Sequence, residues 1–135
     1  HHWAYPVGGE VLPTRRTALR SARADVVSGA SAMSVSQGVF VGLDLGGTDI
    51  KATVTTRDGR ILVSEMEKVL SFVGEGPRRT IEQLAVAAHK ALGIAGASLS
   101  DVVCVGLDTP GPASVDGVLA RSANLKHPEW ANFPI

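Results

Sequence analysis

Residues 44–48 read Asp-Leu-Gly-Gly-Thr, types suited to holding a phosphate. Backbone N–H groups grip an anion only where the chain comes close to it, and the adjacent Gly46 and Gly47 carry no side chain to block that approach. Thr48 adds a hydroxyl donor. Asp44, just ahead of the turn, has a carboxylate suited to magnesium, held through water. The run is not G-x-x-x-x-G-K-[ST], and the residues after it alternate like a strand where that loop needs a helix; G-x-G-x-x-G is absent too. Taken alone, the five residues fit a tight Gly-Gly hairpin about as well, with Asp44 merely bonding the turn.

A second loop, Thr109-Pro110-Gly111-Pro112, follows the apolar run Val102–Leu107. Ligands of α/β sheets lie at such carboxyl ends. Two prolines stiffen the loop, and the bare backbone of Gly111 allows a small polar ligand close approach. A stiff turn with no ligand has the same signature. Asp108 reads as a hydrogen-bonded turn residue at a strand end and not as a general base. Cys104, inside the apolar run, reads as a buried inert thiol. His89 reads as solvated and His127 as a loop residue, with no His or Cys at metal-ligand spacing. Arg78 and Arg79 open a helix and read as a solvated face, and Trp130 as a core anchor.

The elements that position these residues follow from their patterning. Val39–Leu43 is a short apolar run, as for a strand buried on both faces. Ile50, Ala52 and Val54 alternate with Lys51, Thr53 and Thr55, a strand with one face inward. Asp58-Gly59 turns that strand into a third, starting at Ile61. A helix follows, with Ile81, Leu84, Ala85, Ala88 and Leu92 on one face, started either by a Thr80–Gln83 capping box or by Pro77 in the first turn, and stopped by Gly93 and Gly96. The fourth strand is Val102–Leu107, apolar throughout, and Asp116-Gly117 signals a second hairpin. The expected order is βββαβ, an α/β arrangement with a meander opening in place of a dinucleotide fold's strand–helix–strand start.

The chain has 135 residues, room for one domain and a tail or for one lobe of something larger. Thirteen Lys and Arg balance thirteen Asp and Glu, which argues against duplex DNA or an anionic membrane as a partner held by charge. A single cysteine excludes an intrachain disulfide framework. No apolar run reaches the roughly 20 residues that span a bilayer. Residues 1–37 lack sustained patterning, and the expectation is a disordered extension ahead of an incomplete lobe over 38–135. Arg15, Arg16, Arg20 and Arg23 stand there against Glu10 and Asp25.

Gly42-Leu43-Asp44-Leu45-Gly46-Gly47-Thr48, an Asp-Gly hairpin, one helix, Gly106-Leu107-Asp108-Thr109-Pro110-Gly111-Pro112, and Asn124-Leu125 ahead of Trp130 together resemble the ROK family (repressors, open reading frames and kinases). The likeness runs over about residues 38–135. It implies the amino-terminal half-domain of the actin- and hexokinase-like (ribonuclease-H-like) ATPase fold, in a cytoplasmic, ATP-dependent sugar kinase of the glucokinase or fructokinase kind. It further implies that Gly46, Gly47 and Thr48 contact ATP phosphates and that Asp44 assists Mg2+. Thr109 and Gly111 then border the sugar, with Asn124 near the same cleft. Asp49 departs from the Lys or Asn common in the family, and Asp108 from a small residue.

The family's catalytic base is the Asp of an Asn-Asp pair, and no such pair occurs in these residues. No catalytic residue is assigned here, and this chain made alone is expected to be inactive. The expected partners are a sugar and ATP, with no nucleic acid and no membrane, and a homo-oligomer in the full-length protein. The other reading is a sugar-sensing regulator of the same family, which needs a helix-turn-helix ahead of residue 38; the unpatterned tail does not supply it.

Overall fold

The structure, a computed structural model, describes Val35 and residues 37–135. The extension expected over residues 1–37 lies, but for Val35 and Gln37, outside the described residues, as does any helix-turn-helix ahead of residue 38.

The elements run β1 (Val39–Leu45), β2 (Asp49–Thr56), β3 (Ile61–Val63), β4 (Val69–Leu70), α1 (Pro77–Ala95) and β5 (Val102–Asp108). The expected order gains one strand. The two residues of β4 are too few to show a period, and they are strand only because they pair with Asp49 and Ile50. The sheet order is β3-β2-β1-β5, with β4 also on β2. β1 pairs with β2 antiparallel, ending at Leu45 opposite Ile50, and with β5 in parallel, ending at Asp44 opposite Asp108.

Alternation decides which face is core. Val39, Val41, Leu43 and Leu45 of β1 are buried with Ile50, Ala52 and Val54 of β2, as are Leu84, Ala87, Ala91 and Leu92 of α1. Two alanines on the helix's inner stripe let it sit close on the sheet. Ile81, expected inside, is exposed, because the stripe runs through Thr80, Leu84, Ala87 and Ala91 instead. The helix starts on Pro77 without a side-chain cap, so the capping-box alternative does not form; Thr80 donates its hydroxyl to the Ser71 carbonyl at 2.8 Å. Gly96, with φ of 69°, closes the helix in the left-handed conformation.

Two strands differ from expectation. β1 is buried on one face only: Phe40 and Asp44 are exposed on the other. β5 is more exposed still, with Val103 and Val105 about half accessible (51% and 53%) and Cys104 exposed. Its apolar run does not mark a two-sided burial, because α1 lies over β1 and β2 and nothing among the described residues covers β5.

Beyond β5, Gly117, with φ of 76°, turns the second hairpin, and Ser114 O accepts its N–H. The chain then returns to the core at Leu119, Leu125 and Trp130; Trp130 is 2% exposed and donates Nε1–H to the Val73 carbonyl at 2.8 Å. Phe133 meets its ring edge-on at 5.7 Å. No helix among the described residues is long and apolar enough to cross a membrane.

Candidate phosphate-binding edge of the sheet

Parallel pairing of β1 with β5 brings their carboxyl ends to one edge, so the turns at 46–48 and 109–112 leave the sheet side by side. Asp44 and Asp108 are neighbours across that pairing, and Lys51 stands opposite Asp44 on the other side. All three are exposed. The next row back is Thr53, Gly42 and Gly106. These residues, with Ser64, line an open hollow of about 440 Å³ on the sheet face away from α1.

The floor of the hollow is shaped by the two glycines. A Cβ on Gly42 would stand 2.9 Å from the Thr53 methyl, whereas one on Gly106 would meet nothing within 4 Å. Thr53 sends its hydroxyl to the Val63 carbonyl at 2.6 Å, leaving its methyl over the floor. The polar groups left to a ligand are the side chains of Asp44, Lys51, Ser64 and Asp108. Asp44 and Asp108 accept no hydrogen bond and form no ion pair among the described residues, so Asp108 is not the bonded turn residue it was expected to be.

The glycine hairpin divides its donors. The Gly46 N–H is spent within the turn, on the Asp49 carbonyl at 2.9 Å, and a Cβ on Gly46 would lie 2.7 Å from that same oxygen. Gly46 is therefore required by the turn itself. The N–H groups of Gly47 and Thr48 and the Thr48 hydroxyl have no partner among the described residues, and both residues are exposed. Asp49 has its charge met by Lys68 at 3.2 Å. The Thr48 carbonyl accepts from Ser71 N at 2.9 Å, which ties the hairpin to β4.

The second loop is braced internally. Thr109 Oγ1 donates to the Gly111 carbonyl at 2.9 Å and Ser122 Oγ to the Pro110 carbonyl at 2.6 Å. A Cβ on Gly111 would stand 2.8 Å from the Ser122 Cβ. The close approach that Gly111 permits is thus made by its own chain. Asn124 is exposed, with its N–H directed to Ser122 Oγ at 3.3 Å. Neither this loop nor Asn124 lines the hollow, nor do Gly46, Gly47 and Thr48.

Among the residues read as incidental, Arg79 pairs with Glu82 at 2.9 Å and lies over the Phe72 ring. His127 Nδ1 accepts the Glu129 N–H at 3.3 Å. Among the described residues no three His, Cys, Asp or Glu side chains group to hold a metal ion. Lys51 and Ser64 were not singled out in the sequence. The alternation that put Ile50 and Ala52 inward also put Lys51 on the face of Asp44, which was the available signal.

An α/β sheet of this topology, with one covering helix and two glycine-bearing turns at one edge, is similar to the folds of hexokinase-type kinases. No family model matches the chain, and no curated protein does. Among solved structures, a ROK hexokinase from Thermus thermophilus matches with a TM-score of 0.55 and 37% identity, over 71% of this chain and 29% of that one. A ROK family glucokinase from Streptomyces griseus, solved in complex with glucose and AMPPNP, matches with a TM-score of 0.56 and 24% identity, over 72% and 28%. The chain belongs to the ROK family. It spans less than a third of the length of these two relatives.

Proposed function

We propose that this chain forms the phosphate-holding wall of a cytoplasmic, ATP-dependent sugar kinase that phosphorylates a hexose hydroxyl, as a glucokinase does. The observation that carries the reading is the shared edge. Two carboxylates, two backbone donors and the Thr48 hydroxyl, all without a partner among the described residues, lie where β1 and β5 end. The glucokinase relative, solved with a sugar and an ATP analogue, supports the choice of ligands.

In this reaction the bond from the γ-phosphorus to the bridging oxygen of ADP breaks, a bond to the sugar oxygen forms, and the hydroxyl proton passes to a base. The protein contributes mainly position and charge. Gly47, Thr48 and the Thr48 hydroxyl donate to phosphate oxygens, while Gly46 shapes the turn that aims them. Mg2+, when bound, neutralises charge on the phosphates. The residues fit it: this ion is commonly held by one or two carboxylates together with phosphates and water, and Asp44 is exposed and unengaged, with Asp108 beside it. Thr109, Gly111 and Asn124 stand on the sugar side, Thr109 and Gly111 by holding the shape of the loop. The base is assigned to none of the described residues.

The test is a titration of this chain with Mg·ATP, Mg·ADP and AMP, read from backbone amide resonances. Gly47 and Thr48 should move with ATP and ADP and scarcely with AMP. Largest changes away from the edge, or equal responses to all three, would overturn the reading.

A further inference from the structure

Lys51, Asp44 and Asp108 form one row across β2, β1 and β5. The row is polar in a particular sense: a cation at one end and two carboxylates at the other. Lys68, in the link between β3 and β4, is engaged with Asp49 at 3.2 Å. Lys51 makes no ion pair or hydrogen bond among the described residues, although a carboxylate stands opposite it in register. Behind the row Gly42 and Gly106 add no side chain to the floor, so the hollow that Lys51 and the two carboxylates line stays open to a ligand.

We infer that Lys51 is a phosphate-binding residue of this site, taking the terminal phosphates of a metal-bound polyphosphate; the inference rests on the reading of the edge as a nucleotide-phosphate site. A metal polyphosphate is itself polar in the matching sense. Its cation faces Asp44 and Asp108, and its anionic oxygens face Lys51 and the free N–H groups of Gly47 and Thr48. A sugar, neutral and rich in hydroxyls, gains nothing comparable from an unpaired ammonium. A lysine serves as a compact point charge with rotatable donors, which suits an oxygen cluster whose orientation changes as a phosphoryl group moves.

The experiment uses the full chain and inorganic tripolyphosphate with Mg2+, and glucose in parallel, read from the amide resonances of Gly47 and Thr48. Lys51→Met should weaken tripolyphosphate binding about tenfold or more, the loss expected for one charge-assisted contact. Lys51→Arg should stay within about threefold of the native chain, since it keeps the charge. Because Lys51 is exposed, both variants should melt with the native protein, which separates a binding role from a structural one. Equal binding by Lys51→Met and the native chain overturns the inference and leaves the phosphate edge standing. No response of the native chain to tripolyphosphate overturns both. Loss of a glucose response in Lys51→Met, with tripolyphosphate binding intact, assigns the lysine to the sugar and overturns the inference as stated.

Discussion

Substitution of Gly111 by alanine separates two reasons for a glycine in the second loop. If its bare backbone serves a ligand, the added methyl touches only ligand affinity. The structure indicates otherwise: the new Cβ would stand 2.8 Å from Ser122 Cβ and 3.3 Å from Ser122 Oγ. A Cβ does not swing away with a rotamer change, so the backbone of one strand of the loop must move. That movement strains two hydrogen bonds at once, Ser122 Oγ to the Pro110 carbonyl and Thr109 Oγ1 to the Gly111 carbonyl. Overpacking of this kind costs about 1–3 kcal/mol. In a folded unit of about 100 residues each kcal/mol lowers Tm by roughly 4–8 °C. The double variant Gly111→Ala/Ser122→Gly removes the clash and should recover part of the loss, giving a coupling of at least about 1 kcal/mol in a double-mutant cycle. Thermal melts of the four proteins measure it. A Gly111→Ala chain that melts with the native protein, or a cycle with no coupling, would refute the argument.

The buried link between hairpin and helix makes opposite predictions for neighbouring residues. Ser71 is fully buried, its hydroxyl without a partner among the described residues, so Ser71→Ala should leave Tm unchanged or raise it. Thr80→Val strips the buried Ser71 carbonyl of its side-chain donor and should cost about 1–3 kcal/mol; a larger loss for Ser71→Ala than for Thr80→Val would contradict this. Acid titration gives a further check. The Thr56 hydroxyl donates to Asp58 and holds its carboxyl below the usual value, as the Ser98 N–H and hydroxyl do for Asp101. A folded value below the unfolded one contributes stability that is present above the unfolded value of about 3.9 and lost as pH falls through the folded one. Both carboxyls should therefore titrate below about 3.9 by NMR, and Asp58→Asn or Asp101→Asn should flatten the acid limb of the stability curve; midpoints at or above 3.9 would contradict the assignment.

The parts legible in the sequence were those set by near neighbours. The turn at Asp58-Gly59, the one-sided alternation of β2, the stop at Gly96 and the carboxylate-glycine turn at 44–48 each follow from a few adjacent residues. What was not legible depends on partners far along the chain. Phe40 and Gly42 read as part of a buried run because their residue types are apolar; only the position of α1 leaves their face open. Gly111 read as ligand-facing because its neighbour in space, Ser122, is eleven positions away. Gly46 and Gly47 read alike, and only the closed turn shows that Gly46 spends its N–H while Gly47 keeps its own. Lys51 passed as the outward half of an alternation until the register placed it opposite Asp44.

The exposed β5 has a consequence for the order in which the wall assembles. β1, β2 and β3 form by turns of a few residues, and α1 packs on them from close by in the chain. β5 joins β1 only after Val102 finds Val39, 63 positions earlier, and it brings little buried apolar surface to hold the pairing. Contacts of such long sequence separation form late, because the loop between them must be closed before they contribute. The same strand, at the sheet's edge, exchanges its amide hydrogens sooner than central β1 on local opening. Asp108 rides on it. Asp44 and the glycine hairpin thus belong to the early, persistent part of the fold, and the second carboxylate is present only while β5 is docked.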